Sequence, residues 1–262
     1  MKLLFSEGTP DYTNYIFPYV IWAFPEKDEE INRIFEAGFL PSSRLMQRFY
    51  MARQVRVALS SFSPNSENRR VMRKCADIQF ELLPRDKFQY TAERRLSFKT
   101  YADRKFGRDV MSFERLDELF ASTIVTHVLQ FTMPSGEDAG SVALFLYRDR
   151  LAFYYYAFYN LKYFERNLGM YMMTSAIKFF AEKGYHHVYL GTCYSEKALY
   201  KTQFPGAEFF NGVCWSPNLD ELKFVLRRET AQKHLLEDPE FIEKFYNANT
   251  AVLVEKFGIK WD

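Results

Sequence analysis

The residues whose types and spacing could best carry out a chemical reaction lie between Tyr163 and Trp215. An Arg-x-x-Gly loop, from Arg166 to Gly169, precedes an apolar segment with helical spacing. A loop that opens a helix presents free backbone N–H groups, which suit a phosphate or another anion. A short strand of β-branched and aromatic residues follows at 187–191 and can place a catalytic group beside that loop. Transfer of an acyl group to an amine is one reaction that such an anion site with a neighbouring catalytic group can serve.

Acyl transfer needs a base for the attacking amine, donors for the oxyanion and an acid for the leaving atom. Tyr200 is a candidate for the acid or for an orienting hydrogen bond, and the alternative is a packed ring whose hydroxyl meets water. Glu208 is a candidate base if burial raises its pKa, although an ion pair with Lys201 or a turn cap is the favoured role. We expect the oxyanion to be held by backbone N–H groups near Gly191 and Thr192, where the strand ends.

Local patterns predict alternating helices and strands in a mixed α/β fold. Helices are predicted at 26–37, 85–106, 112–121, 168–183, 195–203, 217–229, 238–247 and 249–257. Strands are predicted at 53–60, 123–133, 141–148, 150–159 and 187–191, with a tight hairpin at Asp149–Arg150. Ser66 is the predicted N-cap of a basic helix. We expect an N-terminal mixed region, 1–80, and a second domain, 81–262.

The charge of the chain is unevenly distributed. The net charge is +2, but the segment from Arg44 to Arg108 holds 16 Lys/Arg and 6 Asp/Glu, a local balance of +10 that leaves −8 for the remainder. Such segregation indicates an anionic partner on one side, and a solvated basic face is the alternative. The residues that we expect to contact phosphates are Arg69, Arg70, Arg73 and Lys74.

Composition argues against several other classes of protein. No segment has the roughly 18 uninterrupted apolar residues that a membrane span needs, and the apolar run at the start is too short for a signal peptide. The three cysteines, Cys75, Cys193 and Cys214, are far apart, and the four histidines show no HxxxH spacing. We therefore expect a cytoplasmic protein without a disulfide or a metal site.

The order of loop, helix, strand and tyrosine-containing turn resembles the GCN5-related (GNAT) acyltransferase fold. Acetyl-CoA-dependent members carry Gln/Arg-x-x-Gly-x-Gly/Ala, and the same register here gives Arg166, Gly169 and then Tyr171. A Tyr side chain at that position would crowd a pyrophosphate, so we expect CoA to be disfavoured. The segment from Ser195 to Phe204 is similar to the Ala-x-x-Leu-Tyr-x-x-x-Gly-Phe segment of these enzymes, in which the Tyr protonates the leaving group.

Motifs from about residue 35 to 215 resemble those of arginyl-tRNA–protein transferases. They are Ala37-Gly38-Phe39 with Tyr50, Val55-Arg56-Val57, Phe62-x-Pro64-x-Ser66-x-x-Arg69-Arg70-Val71, Phe158-Tyr159-Asn160, Asn167-Leu168-Gly169-x-Tyr171, Val188-Tyr189-Leu190-Gly191, and Leu199-Tyr200-Lys201 with Phe204, Glu208 and Trp215. The resemblance implies a GNAT-like core, charged tRNA as the donor, no further cofactor, and the α-amine of a protein or peptide as the acceptor. The family's N-terminal cysteine motifs have no counterpart here, and Asn160 stands where the family tends to have Asp.

The resemblance also implies roles for individual residues. Asn160 joins Tyr200 and Glu208 as a catalytic candidate. Donor contacts are expected from Arg166, Asn167, Leu168, Gly169, Tyr171, Tyr156, Gly191, Thr192 and Lys201. Side chains alternate along a strand, so Tyr154 and Tyr156 together, or Tyr155 alone, would stack on the terminal adenosine of the tRNA. The basic stretch would hold tRNA phosphates.

Two other functions fit parts of the sequence. An acetyl-CoA-dependent N-acetyltransferase would use the same fold and the same Tyr200. A catalytically inert RNA- or peptide-binding module would explain why no strong acid–base pair stands out. An ester donor offers a different explanation, because its carbonyl is already activated and positioning can supply most of the acceleration.

Overall fold

The computed structural model describes residues 1–7, 19–108, 110–228 and 235–256. The chain forms two compact units, and each joins segments that are distant in sequence. The first unit comprises Met1–Arg56, Thr192–Gln203 and Ala207–Asp262, and the second comprises Val57–Gly191 and Phe204–Gly206. The units therefore divide the chain elsewhere than at the expected boundary near residue 80.

The described residues alternate between strands and helices. The strands are β1 Lys2–Glu7, β2 Tyr19–Phe24, β3 Phe39–Pro41, β4 Phe49–Met51, β5 Gln54–Ala58, β6 Gln79–Pro84, β7 His127–Thr132, β8 Asp138–Tyr147, β9 Leu151–Tyr159, β10 His187–Thr192, β11 Ala207–Phe210 and β12 Trp215–Ser216. The α-helices are α1 Ile31–Glu36, α2 Ser66–Lys74, α3 Ala92–Lys105, α4 Phe113–Ala121, α5 Leu168–Glu182, α6 Leu219–Arg227, α7 Pro239–Tyr246 and α8 Thr250–Glu255. Short 3₁₀ helices cover Asp28–Glu30, Leu59–Ser61, Arg85–Lys87, Leu161–Arg166, Glu196–Thr202 and Leu235–Glu237. Within these ranges no helix is both long enough and apolar enough to cross a membrane.

Most predicted elements are confirmed, with small shifts at their ends. Residues 229 and 257, at which two of the predicted helices end, lie outside the described residues. The prediction of Ser66 as N-cap is wrong, because the side chain of Asn65 accepts a 2.9 Å hydrogen bond from the backbone N–H three residues later. The β8–β9 hairpin turns at Arg148 and Asp149, with φ angles of 49° and 50°. The N–H of Arg150 donates a 3.1 Å hydrogen bond to the carbonyl of Tyr147, so positive φ at both central residues forms a tight turn within a three-residue loop.

The predicted helix 85–106 is too long. Its first part is a 3₁₀ turn, and α3 begins only at Ala92. Between them Phe88 and Tyr90 place their rings against Phe120, with centroids 5.6 and 4.6 Å apart respectively. Rings two residues apart reach the same neighbour when the backbone is extended, so core packing overrides the helical pattern here.

The sheet of the second unit runs in the order β10-β9-β8-β7-β6. β9 and β10 are parallel, with His187 opposite Leu151 and Tyr189 opposite Phe153, whereas the other neighbours are antiparallel. A parallel pair needs a crossover, which α5 provides. β9 continues beyond this pairing to Tyr159. The mixed sheet with its crossover helix confirms the predicted α/β class.

A β-bulge interrupts the pairing of β8 with β9. Ala143 is opposite Tyr156 and Leu144 is opposite Tyr154, so Tyr155 is the extra residue. A bulge breaks the alternation of side chains along a strand. Consequently Tyr155 and Tyr156 are both half-buried and pack against the same core cluster, while Tyr154 is buried. The prediction that Tyr154 and Tyr156 share one environment, or that Tyr155 stands alone, is wrong for this reason.

The first unit contains an antiparallel sheet in the order β1-β2-β4-β3 and the antiparallel pair β11–β12. Its helices α6, α7 and α8 enclose a core around Phe241 and Tyr246. Gly38 has a φ of +89°, and a Cβ atom there would lie 2.3 Å from the ring of Phe210. Both constraints require glycine at the turn that leads into β3.

Candidate active site

Local hydrogen bonds build the loop that joins β9 to α5. Asn160 caps the 3₁₀ helix Leu161–Arg166: its side-chain oxygen accepts from the N–H of Lys162 at 3.2 Å, and its amide group donates to Glu137 at 3.2 Å. Asn167 then adopts a left-handed φ of 58° and is the residue that immediately precedes α5. These bonds give Asn160 a structural role, and its catalytic role remains a prediction.

Arg166 forms an ion pair and hydrogen bonds with other residues of the second unit. Its guanidinium pairs with Asp77, which lowers the pKa of that carboxyl, and donates a 2.9 Å hydrogen bond to the carbonyl of Lys74. The carbonyl of Arg166 accepts a 3.3 Å hydrogen bond from the thiol of Cys75. The ammonium of Lys74 in turn donates to the carbonyl of Glu165. The loop is thus fastened to the end of α2.

The first turn of α5 packs closely against β9. A Cβ atom at Gly169 would lie 2.9 Å from Cε1 of Tyr159, so a glycine permits this approach. Leu168 is fully buried. Tyr171 is buried as well, and its hydroxyl donates a 2.8 Å hydrogen bond to the carbonyl of Ile78. The expectation that Tyr171 would crowd a pyrophosphate is therefore wrong, since its ring belongs to the core, and Tyr171 gives no reason to exclude CoA.

The far part of β9 offers aromatic rings at the surface. Tyr156 is half-buried, lies edge-on to Phe106 at 6.3 Å and stacks with Phe158 at 6.1 Å. Tyr155 contacts Tyr156 with centroids 4.7 Å apart. Tyr154 is only 5% exposed. Any base that stacks on β9 would therefore meet Tyr155 or Tyr156.

A cationic group occupies the first unit, where the chain leaves β10. The ammonium of Lys201 donates a 2.8 Å hydrogen bond to the carbonyl of Thr192. The N–H of Cys193 donates to the carbonyl of Arg53 at 2.8 Å. The N–H of Arg53 donates to the hydroxyl of Tyr194 at 3.2 Å, and the Arg53 guanidinium lies 5.7 Å from the centre of that ring. These five residues are called the Lys201–Arg53 cluster below.

Both cations of this cluster are partly desolvated. Burial lowers the pKa of Lys201 to about 8 and also lowers the pKa of Arg53. Among residues 1–7, 19–108, 110–228 and 235–256, neither has a carboxylate within ion-pair distance, and neighbouring Arg228 is bound to Asp238 at 3.0 Å. Burial raises the pKa of Cys193, so its thiol stays protonated at neutral pH and is a poor nucleophile. Buried charges are normally paired, so this arrangement suits an anionic ligand.

The two other catalytic candidates of the first unit differ in their surroundings. Tyr200 lies on the 3₁₀ helix Glu196–Thr202 and is 44% exposed. Glu208 accepts a 2.8 Å hydrogen bond from Arg56, whose guanidinium lies 4.0 Å from the centre of the Trp215 ring. This ion pair supports the structural role favoured for Glu208, with Arg56 rather than Lys201 as its partner.

The four residues predicted to contact phosphates all lie on α2. Arg69, Arg70, Arg73 and Lys74 are exposed, as phosphate binding requires. Arg70 is paired with Glu67 at 2.6 Å, and Arg69 donates to a carbonyl of the preceding turn. Contact with RNA remains a prediction for these residues.

Sequence reasoning identified part of the cationic cluster and missed the rest. It named Thr192 and Lys201 of this cluster, as well as the preceding Gly191, which takes a φ of 79°. It did not name Arg53 or Tyr194, because a backbone hydrogen bond between residues 53 and 193 leaves no local signal in the sequence. Over the described ranges, no group of three or more His, Cys, Asp or Glu side chains is placed to hold a metal ion.

Comparison with known proteins extends these observations. An aspartate/glutamate leucyltransferase of Cereibacter sphaeroides (strain ATCC 17029 / ATH 2.4.9) is 28% identical over 169 residues, which cover 61% of this chain and 60% of that protein. The protein of the same name from Allorhizobium ampelinum is 30% identical over 176 residues, which cover 62% of this chain and 68% of that protein. The chain thus spans about 60% of the length of the first of these relatives.

Among solved structures, L-PGS from Bacillus licheniformis matches with a TM-score of 0.42 and 13% identity over 64% of this chain and 52% of that one. Residues 65–202 match the family model described as the acetyltransferase (GNAT) domain. That range exceeds half of the 262 residues and contains the sheet of the second unit, its crossover helix α5 and the turn that carries Tyr200. The predicted GNAT-like core is confirmed, and the chain belongs to the family of proteins with an acetyltransferase (GNAT) domain.

Proposed function

We propose that this chain transfers an amino acid from charged tRNA to the α-amine of a protein or peptide whose first residue is Asp or Glu. The Lys201–Arg53 cluster is the observation that carries the proposal, because two desolvated cations without a carboxylate partner among the described residues suit the side chain of such an acceptor. The name of the relatives, aspartate/glutamate leucyltransferase, supports the same acceptors and makes leucine the first amino acid to test, ahead of arginine.

The proposed reaction exchanges an ester for an amide. The bond between the amino acid carbonyl and the 3′ oxygen of the tRNA breaks, and a bond from the acceptor nitrogen to that carbonyl forms. The nitrogen loses a proton, and the ribose oxygen gains one. In this scheme Lys201 and Arg53 orient the acceptor through its carboxylate, and the Tyr200 hydroxyl donates a hydrogen bond or a proton to the leaving oxygen.

The selectivity for acidic acceptors should depend on pH. Lys201 with a pKa of about 8 is protonated at pH 7 and largely neutral above pH 9 in the free protein. The ratio of kcat/KM for an Asp-initiated peptide to that for an Ala-initiated peptide should therefore fall as the pH rises through 8. The ionisation of the α-amine affects both peptides and cancels in the ratio.

A transfer assay tests the proposal. Radiolabelled leucyl-tRNA and arginyl-tRNA are offered with peptides that begin with Asp, Glu, Asn, Gln or Ala. Label should enter the Asp and Glu peptides, disappear after ribonuclease pretreatment, and favour Asp over its neutral isostere Asn by roughly tenfold or more, about 1.4 kcal/mol. Lys201→Met should abolish that preference, while Lys197→Met, on the exposed side of the same 3₁₀ helix, should keep it. Transfer without any preference for acidic peptides would refute the role given to the cluster.

A second candidate is N-acetylation from acetyl-CoA. Two observations favour it: the matching family model describes an acetyltransferase domain, and the buried Tyr171 leaves the start of α5 free of a bulky ring. The same peptides with acetyl-CoA would then release free CoA thiol. If thiol appears and label from charged tRNA does not, acetylation replaces aminoacyl transfer as the activity.

A further inference from the structure

Two phenylalanine rings of the second unit are exposed to solvent. Phe164, on the 3₁₀ helix before α5, is 51% exposed, and Phe106, which follows α3, is 39% exposed. The ammonium of Lys105 lies 4.1 Å from the centre of the Phe164 ring. Phe106 contacts Tyr156 of β9 edge-on at 6.3 Å. We call Phe164, Lys105, Phe106 and Tyr156 the Phe164 surface.

Cations predominate at the α3 side of this surface. Arg104 and Lys105 are both exposed, and neither is in an ion pair with another described residue. The nearby acid of α3, Asp103, is already paired with Lys99. A phosphate would therefore meet uncompensated positive charge on this side.

The basic end of α2 contacts the residue next to Phe164. The ammonium of Lys74 donates to the carbonyl of Glu165, the residue next to Phe164. Asp77 is neutralised by Arg166, which leaves the exposed Glu165 carboxylate as the acid adjoining Phe164. The hydrogen bond from Lys74 thus joins the basic stretch of α2 to the exposed aromatic rings.

We propose that the Phe164 surface binds the unpaired 3′ end of the donor tRNA. Bases stack on the exposed ring of Phe164 and on the half-buried ring of Tyr156, and the phosphates between them pair with Lys105 and Arg104. Exposed aromatic rings interleaved with cations are the arrangement that single-stranded nucleic acids require, because every base has a face for stacking and every linkage has a charge. The inference rests on the proposed function for the identity of the RNA, but its chemistry is that of any single-stranded 3′ end.

Binding of uncharged RNA tests this surface without any transfer reaction. Two fluorescent RNA hairpins are compared by anisotropy, one with a four-nucleotide unpaired 3′ end and one with a blunt end. The overhang should tighten binding by the intact chain. Phe164→Ala should weaken binding of the overhang hairpin by about 5- to 150-fold, the equivalent of ~1–3 kcal/mol for one stacked base, and leave the blunt hairpin unchanged. Phe164→Trp should keep the affinity, which separates loss of stacking from misfolding.

Matched variants provide the controls. Leu96 is 60% exposed on the same helix as Lys105, and nine residues at about 100° each place the two on opposite faces. Leu96→Ala should therefore change nothing. Lys105→Met should reduce the slope of log affinity against log salt by about one. Lys178→Met, which removes an exposed cation of α5, should not act selectively on the overhang hairpin.

The outcomes separate this inference from the proposed function. Overhang-dependent binding that Phe164→Ala abolishes supports the surface even if no amino acid is transferred. Equal binding of both hairpins, or an unchanged affinity after Phe164→Ala, overturns the surface even if transfer from charged tRNA is observed.

Discussion

Replacing Lys201 with methionine should make the protein more stable at neutral pH. The side chain is half-buried, its ammonium donates a 2.8 Å hydrogen bond to the carbonyl of Thr192, and burial lowers its pKa from 10.5 to about 8. At about 1.4 kcal/mol for each tenfold change in a protonation equilibrium, keeping the charge costs at most ~3.4 kcal/mol. Partial solvation reduces that cost to roughly half. Loss of the hydrogen bond offsets about 1 kcal/mol of the gain. We expect Lys201→Met to raise the free energy of unfolding by about 1 kcal/mol at pH 7.

The difference in stability between Lys201→Met and the wild type should change with pH in a defined direction. Between pH 8 and 10.5 the unfolded wild-type chain binds a proton at Lys201 that the folded chain has released, so wild-type stability rises with pH in that window. Below pH 8 both states are protonated and the cost is constant. The advantage of Lys201→Met should therefore shrink above pH 8 and reverse as the pH approaches 10.5.

Urea unfolding followed by circular dichroism at pH 7.0, 8.5 and 9.5 measures this difference. Lys197→Met, which changes an exposed lysine of the same 3₁₀ helix, is the control and should alter stability by less than about 0.5 kcal/mol at each pH. If Lys201→Met is less stable than the wild type at pH 7, or if its effect does not vary with pH, burial of the charged Lys201 ammonium does not lower the stability of the folded protein. The case for an anion-binding cluster would then fail.

Three further predictions concern other parts of the chain. Tyr200→Phe should keep stability and RNA affinity but lower the rate of single-turnover transfer by roughly 10²-fold or more, the smaller end of what a general acid contributes; an unchanged rate removes the hydroxyl from the mechanism. Replacing Arg69 and Arg70 with alanine should weaken tRNA binding and reduce its salt slope by up to about two in filter binding, whereas identical slopes would leave this part of α2 as a solvated basic face. Gly169→Ala should lower the free energy of unfolding by about 1 kcal/mol in urea titrations, because the new methyl group would lie 2.9 Å from the ring of Tyr159; a stabilised variant would show that the ring can move.

Hydrophobic periodicity predicted the second unit better than the first. The strands and the crossover helix of the second unit have regular patterns and sharp stops, such as Gly184 with a φ of 78° just after α5. The division into units could not be predicted, because Thr192–Gln203 and Ala207–Asp262 join Met1–Arg56 through contacts that no sequence window contains. Local sequence patterns therefore predicted where helices and strands lie, but not which distant segments they pack against.

In the candidate site, too, local sequence motifs predicted some features, and features set by long-range contacts could not be predicted. The positions of Thr192 and Lys201 follow from the strand end and the turn that a local motif marks. The directions of side chains could not be predicted from the sequence. Tyr171 faces the core, and the bulge at Tyr155 changes which tyrosines reach the surface. One inserted residue in a strand is enough to reverse an alternation argument, since each side chain beyond it changes face.

The discontinuous first unit has a consequence for synthesis of the chain. The segment from Val57 to Gly191 is contiguous and can begin to fold as it emerges, but Met1–Arg56 meets the other segments of its unit, Thr192–Gln203 and Ala207–Asp262, only after these are translated. At about 5–20 residues per second, the ribosome needs roughly 10–40 s to pass from residue 56 to residue 262. During that interval Phe35 and Phe49 can already contact each other, with ring centroids 6.0 Å apart, but the turn at Gly38 lacks the ring of Phe210, against which it packs closely in the folded protein. The N-terminal strands β1 to β4 can pair with one another during synthesis, but termination near residue 200 would remove β11, β12 and the helices α6 to α8, which belong to the same unit.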